Sequence, residues 1–247
     1  MAVQNPWREP AVPFGSRLLA EGVRGGDVAV FQRLYNGLLA LLERPPGPAL
    51  ALDGMFGPRE REAAGMVQAR FGLTPDGVVG PTTCFVLGHG TGARRTYGGP
   101  AFGSRALREA DSGGDVWVLQ NRLAVLGRLR RPADGSCGDD TIAALLRWKA
   151  DAGLDGAREL DARAANALIV ASIAGGRAIW SGRHGLDVAW LQRRLREHRV
   201  LERPVDGLCG AETVDGLRAF QAAAGLVADG VAGPDTYRAL GQARPAP

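Results

Sequence analysis

The chain has 247 residues, of which 45% are hydrophobic and 23% charged, proportions that exclude wholesale disorder. No stretch approaches the ~18 consecutive apolar residues of a membrane helix, so no membrane span is expected. The net charge of +4 is carried almost wholly by arginine, Lys149 being the one lysine; with no basic arm, it points to no nucleic-acid partner.

Residues 1–13 read as an N-terminal arm containing Trp7. The opening stretch MAVQNPWREPAVPFGSR lacks an apolar h-region, so no secretory signal is expected. Three segments then repeat one pattern. The first holds Gly26-Asp27-Val28, Phe31-Gln32, Asp53-Gly54-Met55-Phe56-Gly57 and Phe71-Gly72-Leu73. The second holds Gly114-Asp115-Val116, Leu119-Gln120, Asp134-Gly135-Ser136-Cys137-Gly138 and Ala152-Gly153-Leu154. The third holds Leu186-Asp187-Val188, Leu191-Gln192, Asp206-Gly207-Leu208-Cys209-Gly210 and Ala224-Gly225-Leu226. The DGxxG aspartate precedes the later leucine by 20 positions in all three (53 to 73, 134 to 154, 206 to 226), which signals duplication. The first segment carries seven extra residues before its DGxxG turn (27 to 53, against 115 to 134 and 187 to 206).

In each segment a first helix is expected to open at Asp27, Asp115 or Asp187, a residue type that caps free backbone N–H groups. Apolar residues at helical spacing, such as Val116, Leu119 and Leu123 or Val188, Leu191 and Leu195, mark its buried face. A second helix follows the turn and buries Ala63, Val67 and Phe71; Ile142, Leu145 and Trp148; or Val214, Leu217 and Phe220. Gly72, Gly153 and Gly225 fit left-handed helix terminators. A second turn and a short third helix ending near Leu87 or Leu240 complete the first and third segments, whereas Asp155–Asp161 replaces that turn in the second. Lead-ins precede the segments: Phe14-Gly15-Ser16-Arg17, Phe102-Gly103-Ser104-Arg105 and, more loosely, Trp180-Ser181-Gly182-Arg183.

The DGxxG turn, the aromatic–Gln pair and the GLxxDGxxGxxT stretch resemble the three-helix peptidoglycan-binding-like domain attached to many wall hydrolases. DGLCGAETVDGLRAFQAAAGLVADGVAGPDTYRAL in the third segment carries the resemblance best; the second is degenerate in its last third, with Trp148-Lys149 at the pair. The resemblance covers about residues 14–241. It implies an all-α fold of three tandem small domains, residues 14–88, 102–171 and 184–241, joined by short Gly-rich linkers at 89–101 and 172–183 and followed by a tail at 242–247. It also implies binding of wall glycan or stem peptide.

Arg59, Arg61, Arg147 and Arg218 on the second helices are candidate contacts for stem-peptide carboxylates, the alternative being a solvated helix face. Gln32, Gln120 and Gln192 are candidate ligand contacts, or buried amides that tie down a neighbouring turn. Three cysteines exclude a dense disulfide scaffold. Cys137 and Cys209 stand where the first segment has Phe56, which suits an apolar plug or, with Trp7, a contact between molecules. His89, His184 and His198 have no ligand spacing, so neither a metal nor a cofactor is expected. The spare length between repeats leaves no catalytic domain. The functional expectation is therefore a non-catalytic binder of peptidoglycan or spore cortex, located at the cell envelope, spore surface or outside the cell. The alternative is a homo-polymer forming a filament.

Overall fold

The computed structural model describes residues 11–91 and 94–242; Trp7 and the tail beyond Gln242 lie outside them. The described residues form nine α-helices: α1 (Gly26–Leu41), α2 (Pro58–Arg70), α3 (Pro81–Val86), α4 (Gly114–Val125), α5 (Asp139–Asp151), α6 (Ala162–Ala171), α7 (Leu186–Glu197), α8 (Ala211–Ala223) and α9 (Pro234–Gln242). Two two-residue strands, β1 (Leu107–Arg108) and β2 (Glu159–Leu160), pair antiparallel, with Leu107 opposite Leu160. The chain is therefore mostly helical.

The long helices α1, α4 and α7 begin after Gly25, Gly113 and Gly185, whose φ values of 142°, 136° and 142° lie where a side chain is strained. At Gly185 a Cβ would also stand 2.3 Å from the Val86 carbonyl oxygen, so only glycine lets α7 start against the end of α3. The aspartates two residues later, expected from the sequence to cap these helices, do not stand at the N-cap position. Each accepts a hydrogen bond from the following backbone N–H and a paired hydrogen bond from an arginine ten residues earlier. Arg17 holds Asp27, Arg105 holds Asp115 and Arg177 holds Asp187, with closest distances of 2.7, 2.7 and 2.6 Å. Each arginine also donates to a carbonyl seven residues on, at Arg24, Ser112 or His184. The fork geometry of guanidinium suits this bidentate role. The third lead-in is therefore Ala174-Gly175-Gly176-Arg177, and the sequence match to Arg183 is corrected; Gly175 and Gly176 are needed because α4 backbone and the Arg122 side chain press against them.

The predicted apolar faces of the first and second helices are buried, Leu119, Leu145, Leu191 and Leu217 fully. The core is not divided into three. One apolar cluster runs from Phe14 through α1–α6 and takes in Leu186, Ala189 and Val205; a second joins α7–α9 to Val125 and Ala174. Helix α1 packs on α6 and α7, and α4 packs on α9. Segments 89–101 and 172–183, expected to be linkers, thread this junction in part: His89, Thr91, Ala174, Arg177 and Ile179 are all buried. His89 Nε2 is 3.0 Å from the Phe14 carbonyl oxygen, and its ring lies against Phe14 and Phe102. Asn166 on α6 accepts from the Phe14 N–H at 2.9 Å and donates to the Val12 carbonyl at 2.8 Å. Arg122 on α4 donates to the Ser172 carbonyl, Tyr237 on α9 donates to the Arg177 carbonyl, and the Arg177 guanidinium stacks over Phe85 at 4.1 Å.

Two stability measurements follow from this junction. Arg177 is fully buried, whereas Arg17 is 40% exposed. Asp187→Asn leaves a charge stranded in the interior and is expected to cost about 3–5 kcal/mol, while Asp27→Asn, whose arginine can turn to water, costs clearly less; equal losses in urea denaturation would contradict the difference in burial. Burial, reinforced by nearby Arg122, pulls His89 from 6.5 down to about 3. The unfolded chain then takes up the proton more readily than the folded one. Stability is complete above pH 6.5 and falls as the pH drops towards 3, by about 3 kcal/mol at pH 4. His89→Gln, which retains a donor for Phe14, is expected to flatten the stability profile between pH 6.5 and 4.

Candidate functional site

The DGxxG turns are built by a side chain reaching from the helix before them. The Gln192 amide nitrogen donates to Asp206 Oδ1 at 2.8 Å and approaches the Leu208 carbonyl and Thr213 Oγ1 at 3.0 and 3.1 Å. Its oxygen accepts the N–H groups of Asp206 and Gly207. Gln120 repeats the arrangement with Asp134, Ser136 and Thr141. Gln32 does so with Asp53 and Met55, and Glu60 stands in for the threonine. Gln68 and Gln221 do the same for the turns before α3 and α9. In the degenerate stretch Lys149 takes the amide's place: its ammonium donates to Asp155 Oδ1 at 2.6 Å and to the carbonyls of Ala157 and Glu159. Gln32, Gln120 and Gln192 are at most 2% exposed. As ligand contacts they are corrected: their amides are used up inside the turn.

The clamps hold down the loops that flank α2, α5 and α8, and clefts open beside those helices. Between α2 and the turn before α3 lies a cleft of about 330 Å³ lined by Glu21, Arg61, Glu62 and Asp76; Arg61 pairs there with Glu21 at 3.2 Å. Beside α5 a cleft of about 440 Å³ is lined by Arg128, Arg130, Arg131, Asp140 and Arg147. It adjoins another of about 370 Å³ that reaches Asp134 and Ser136. Beside α8 a cleft of about 660 Å³ is lined by Glu202, Arg203, Glu212 and Asp215. Arg59 is exposed on the first turn of α2, and Arg218 pairs with Asp215 at 3.5 Å. The four arginines singled out in the sequence thus lie along three separate helices. Arg128, Arg130 and Arg131, which join Arg147, were not singled out, although Gly127-Arg128-Leu129-Arg130-Arg131 is a compact basic loop.

Cys137 and Cys209 are buried, and burial raises both thiols to about 11. They fill the place of Phe56 as apolar plugs, so the contact between molecules expected of them is corrected; Trp7, its suggested companion, lies outside the described residues. His184 stacks on Phe71, and the His198 ring packs at a tilt against Phe220. Among the described residues no helix is long and apolar enough to cross a membrane.

Residues 184–240, from the start of α7 into α9, match the family model described as a putative peptidoglycan binding domain. Over 57 residues the chain is 44% identical to the N-acetylmuramoyl-L-alanine amidase CwlM of Mycobacterium tuberculosis, covering 23% of this chain and 14% of that protein. Over 151 residues it is 30% identical to a probable N-acetylmuramoyl-L-alanine amidase of Bacillus licheniformis, covering 53% of this chain and 43% of that protein. The chain spans less than half the length of these curated relatives. The expectation that the protein is not an enzyme is overturned by these comparisons, because the relatives are named as amidases. That expectation rested on length taken up by repeats, and repeats do not report what chemistry a wall-binding chain serves. The match to a putative peptidoglycan-binding domain is thus confined to the third segment.

The buried clamp is open to direct test. Gln192→Ala strands the Gly207 N–H and removes the donor to Asp206, and is expected to cost about 2 kcal/mol or more, with the added amide exchange confined to residues around 206–213. A loss spread evenly over the chain would show that the clamp does not hold this turn in particular.

Proposed function

We propose that the chain grips peptidoglycan through three copies of one three-helix unit, residues 14–88, 102–171 and 184–241, and that this grip serves the hydrolysis of the N-acetylmuramoyl-L-alanine amide bond. The single observation that carries the reading is the match of residues 184–240 to the peptidoglycan-binding model. Its extension to the other two segments is supported by the same Gln–Asp clamp at Gln32 and Gln120. The amidase role is supported by the names of the two relatives.

The clefts beside α2, α5 and α8 and the exposed helix faces next to them are the binding surface, where Arg61 and Arg147 line clefts, Arg59 and Arg218 stand on the open faces of α2 and α8, and all four take stem-peptide carboxylates. A polymer that repeats its ligand suits a receptor that repeats its site: linked weak contacts raise apparent affinity by ~10²–10⁴ without any stronger contact. Packing of α1 on α6 and α7, and of α4 on α9, fixes the spacing of the clefts. Contacts made to the polymer away from the scissile amide hold that bond in place, the use of remote binding energy on which hydrolysis of an insoluble substrate depends.

Purified sacculi give the test. The full chain is expected to sediment with them, and Arg61→Ala combined with Arg218→Ala to bind about tenfold more weakly. Release of peptide with a free L-alanine amino terminus reports the amide chemistry. Full recovery in the supernatant at low salt would remove the binding reading, and stem peptides all still attached to muramic acid after binding would remove the amidase reading.

A further inference from the structure

The clefts beside α5 and α8 occupy the same place in their segments. Adding 72 carries Gln120 to Gln192 and Asp134 to Asp206, and it carries Arg128, Arg130, Arg131 and Asp140 to Val200, Glu202, Arg203 and Glu212. The charges lining them are opposite. Four arginines and one aspartate line the first; one arginine, two glutamates and an aspartate line the second. The fold does not require a basic cleft here, because the neighbouring segment builds the same cleft without one.

Within the basic cleft the arginines fall into two pairs. Arg128 is held by Asp151 at 2.8 Å and Arg131 by Asp140 at 2.6 Å. Arg147 has no carboxylate partner among the described residues and reaches only the Arg128 carbonyl, at 3.4 Å. Arg130 is exposed on the loop between the two held arginines. Two guanidiniums are thus anchored and two stand ready beside them over a space of about 440 Å³. Like charges gathered this closely repel one another, and an anion entering between them relieves that repulsion.

We propose that this cleft binds a linear phosphodiester polymer without bases, a polyol phosphate chain, and so adds to the protein a ligand separate from peptidoglycan. Guanidinium forks match the paired anionic oxygens of a phosphodiester. A chain with a charge at every repeat can engage Arg130 and Arg147 together, where a lone carboxylate meets one. Single-stranded nucleic acid is disfavoured because no aromatic side chain lines the cleft to stack a base.

Calorimetry with the full chain and a short poly(glycerol phosphate) oligomer tests the assignment. Binding is expected at low salt, weakening as ionic strength rises. Arg130→Ala with Arg147→Ala is expected to lower affinity about tenfold or more with unchanged thermal stability, since both residues are exposed; Arg193→Ala, exposed on α7, leaves affinity unchanged. Equal loss with Arg193→Ala would reduce the effect to net charge and overturn the site. Poly-γ-glutamate or single-stranded DNA bound as tightly as the phosphate oligomer would overturn the ligand class. Sacculi before and after hydrofluoric acid removal of phosphodiester-linked polymers separate this ligand from peptidoglycan. Arg130→Ala alone, which leaves Arg147 to its stem-peptide carboxylate, should lose only the extra binding to untreated sacculi, whereas failure of the full chain to bind treated sacculi would count against the peptidoglycan reading alone.

Discussion

One interaction organises the molecule: a helix side chain that reaches forward to satisfy the turn after it. A turn of DGxxG type exposes N–H groups and a carboxylate that point inward, and an unpaired buried polar group costs about 1–3 kcal/mol. Glutamine answers both needs at once, because its amide donates to the aspartate and the following carbonyl while its oxygen accepts from the glycine N–H. The clamp at Lys149 shows which half matters more. An ammonium cannot accept, yet it keeps the donations to Asp155 and two carbonyls, and α6 still forms beyond it under the cap of Asp161. The demand of the turn is chiefly for a donor.

The second constraint acts at longer range. Each lead-in arginine ties the backbone ahead of a long helix to the aspartate in its first turn, and the three pairs differ mainly in how far they are sunk. From Arg17 and Arg105 to Arg177 the arginine passes from 40% and 36% exposed to none. The buried pair sits where α3, α4 and α9 meet the start of α7, among Phe85, Arg122 and Tyr237. Burial of ion pairs seldom adds stability over apolar packing, but it does penalise any arrangement that separates the partners. Arg177 and Asp187 therefore set one arrangement of the third segment against the first two, which apolar contact alone would leave more permissive.

The local pattern was legible in the sequence because turns and helix faces depend on residues near one another. The 20-residue interval from the DGxxG aspartate to the leucine after the later glycine, and the apolar periodicity, located the first two helices of each segment. The role of Gln192 could be stated only as a pair of alternatives, since spacing does not say whether an amide points inward. Arg183 rather than Arg177 fits the third lead-in by sequence because Ala174-Gly175-Gly176 lacks the aromatic residue that flags the other lead-ins, although Arg177 keeps the ten-residue interval to the helix aspartate. Burial of residues 89–91 and 174–179 was hidden for a plainer reason: Gly-rich composition serves a close backbone approach as readily as a loose linker. The enzyme question was beyond the repeats altogether, and only comparison with relatives bore on it.

A shared framework with unequal clefts has a consequence for recognition. Were all three clefts alike, a rigid array would read one repeated chemical group at fixed intervals. Here the cleft by α5 is basic, whereas those by α2 and α8 are both largely acidic, each lined by one arginine, two glutamates and an aspartate. Because the helices under these clefts are held by the same clamps, charge can change from one to the next without moving the backbone. Specificity is a difference of affinities, and under the proposed function a frame that holds clefts of opposite charge would let each select the wall group whose charge it complements. A flexible string of the same segments would read only their sum.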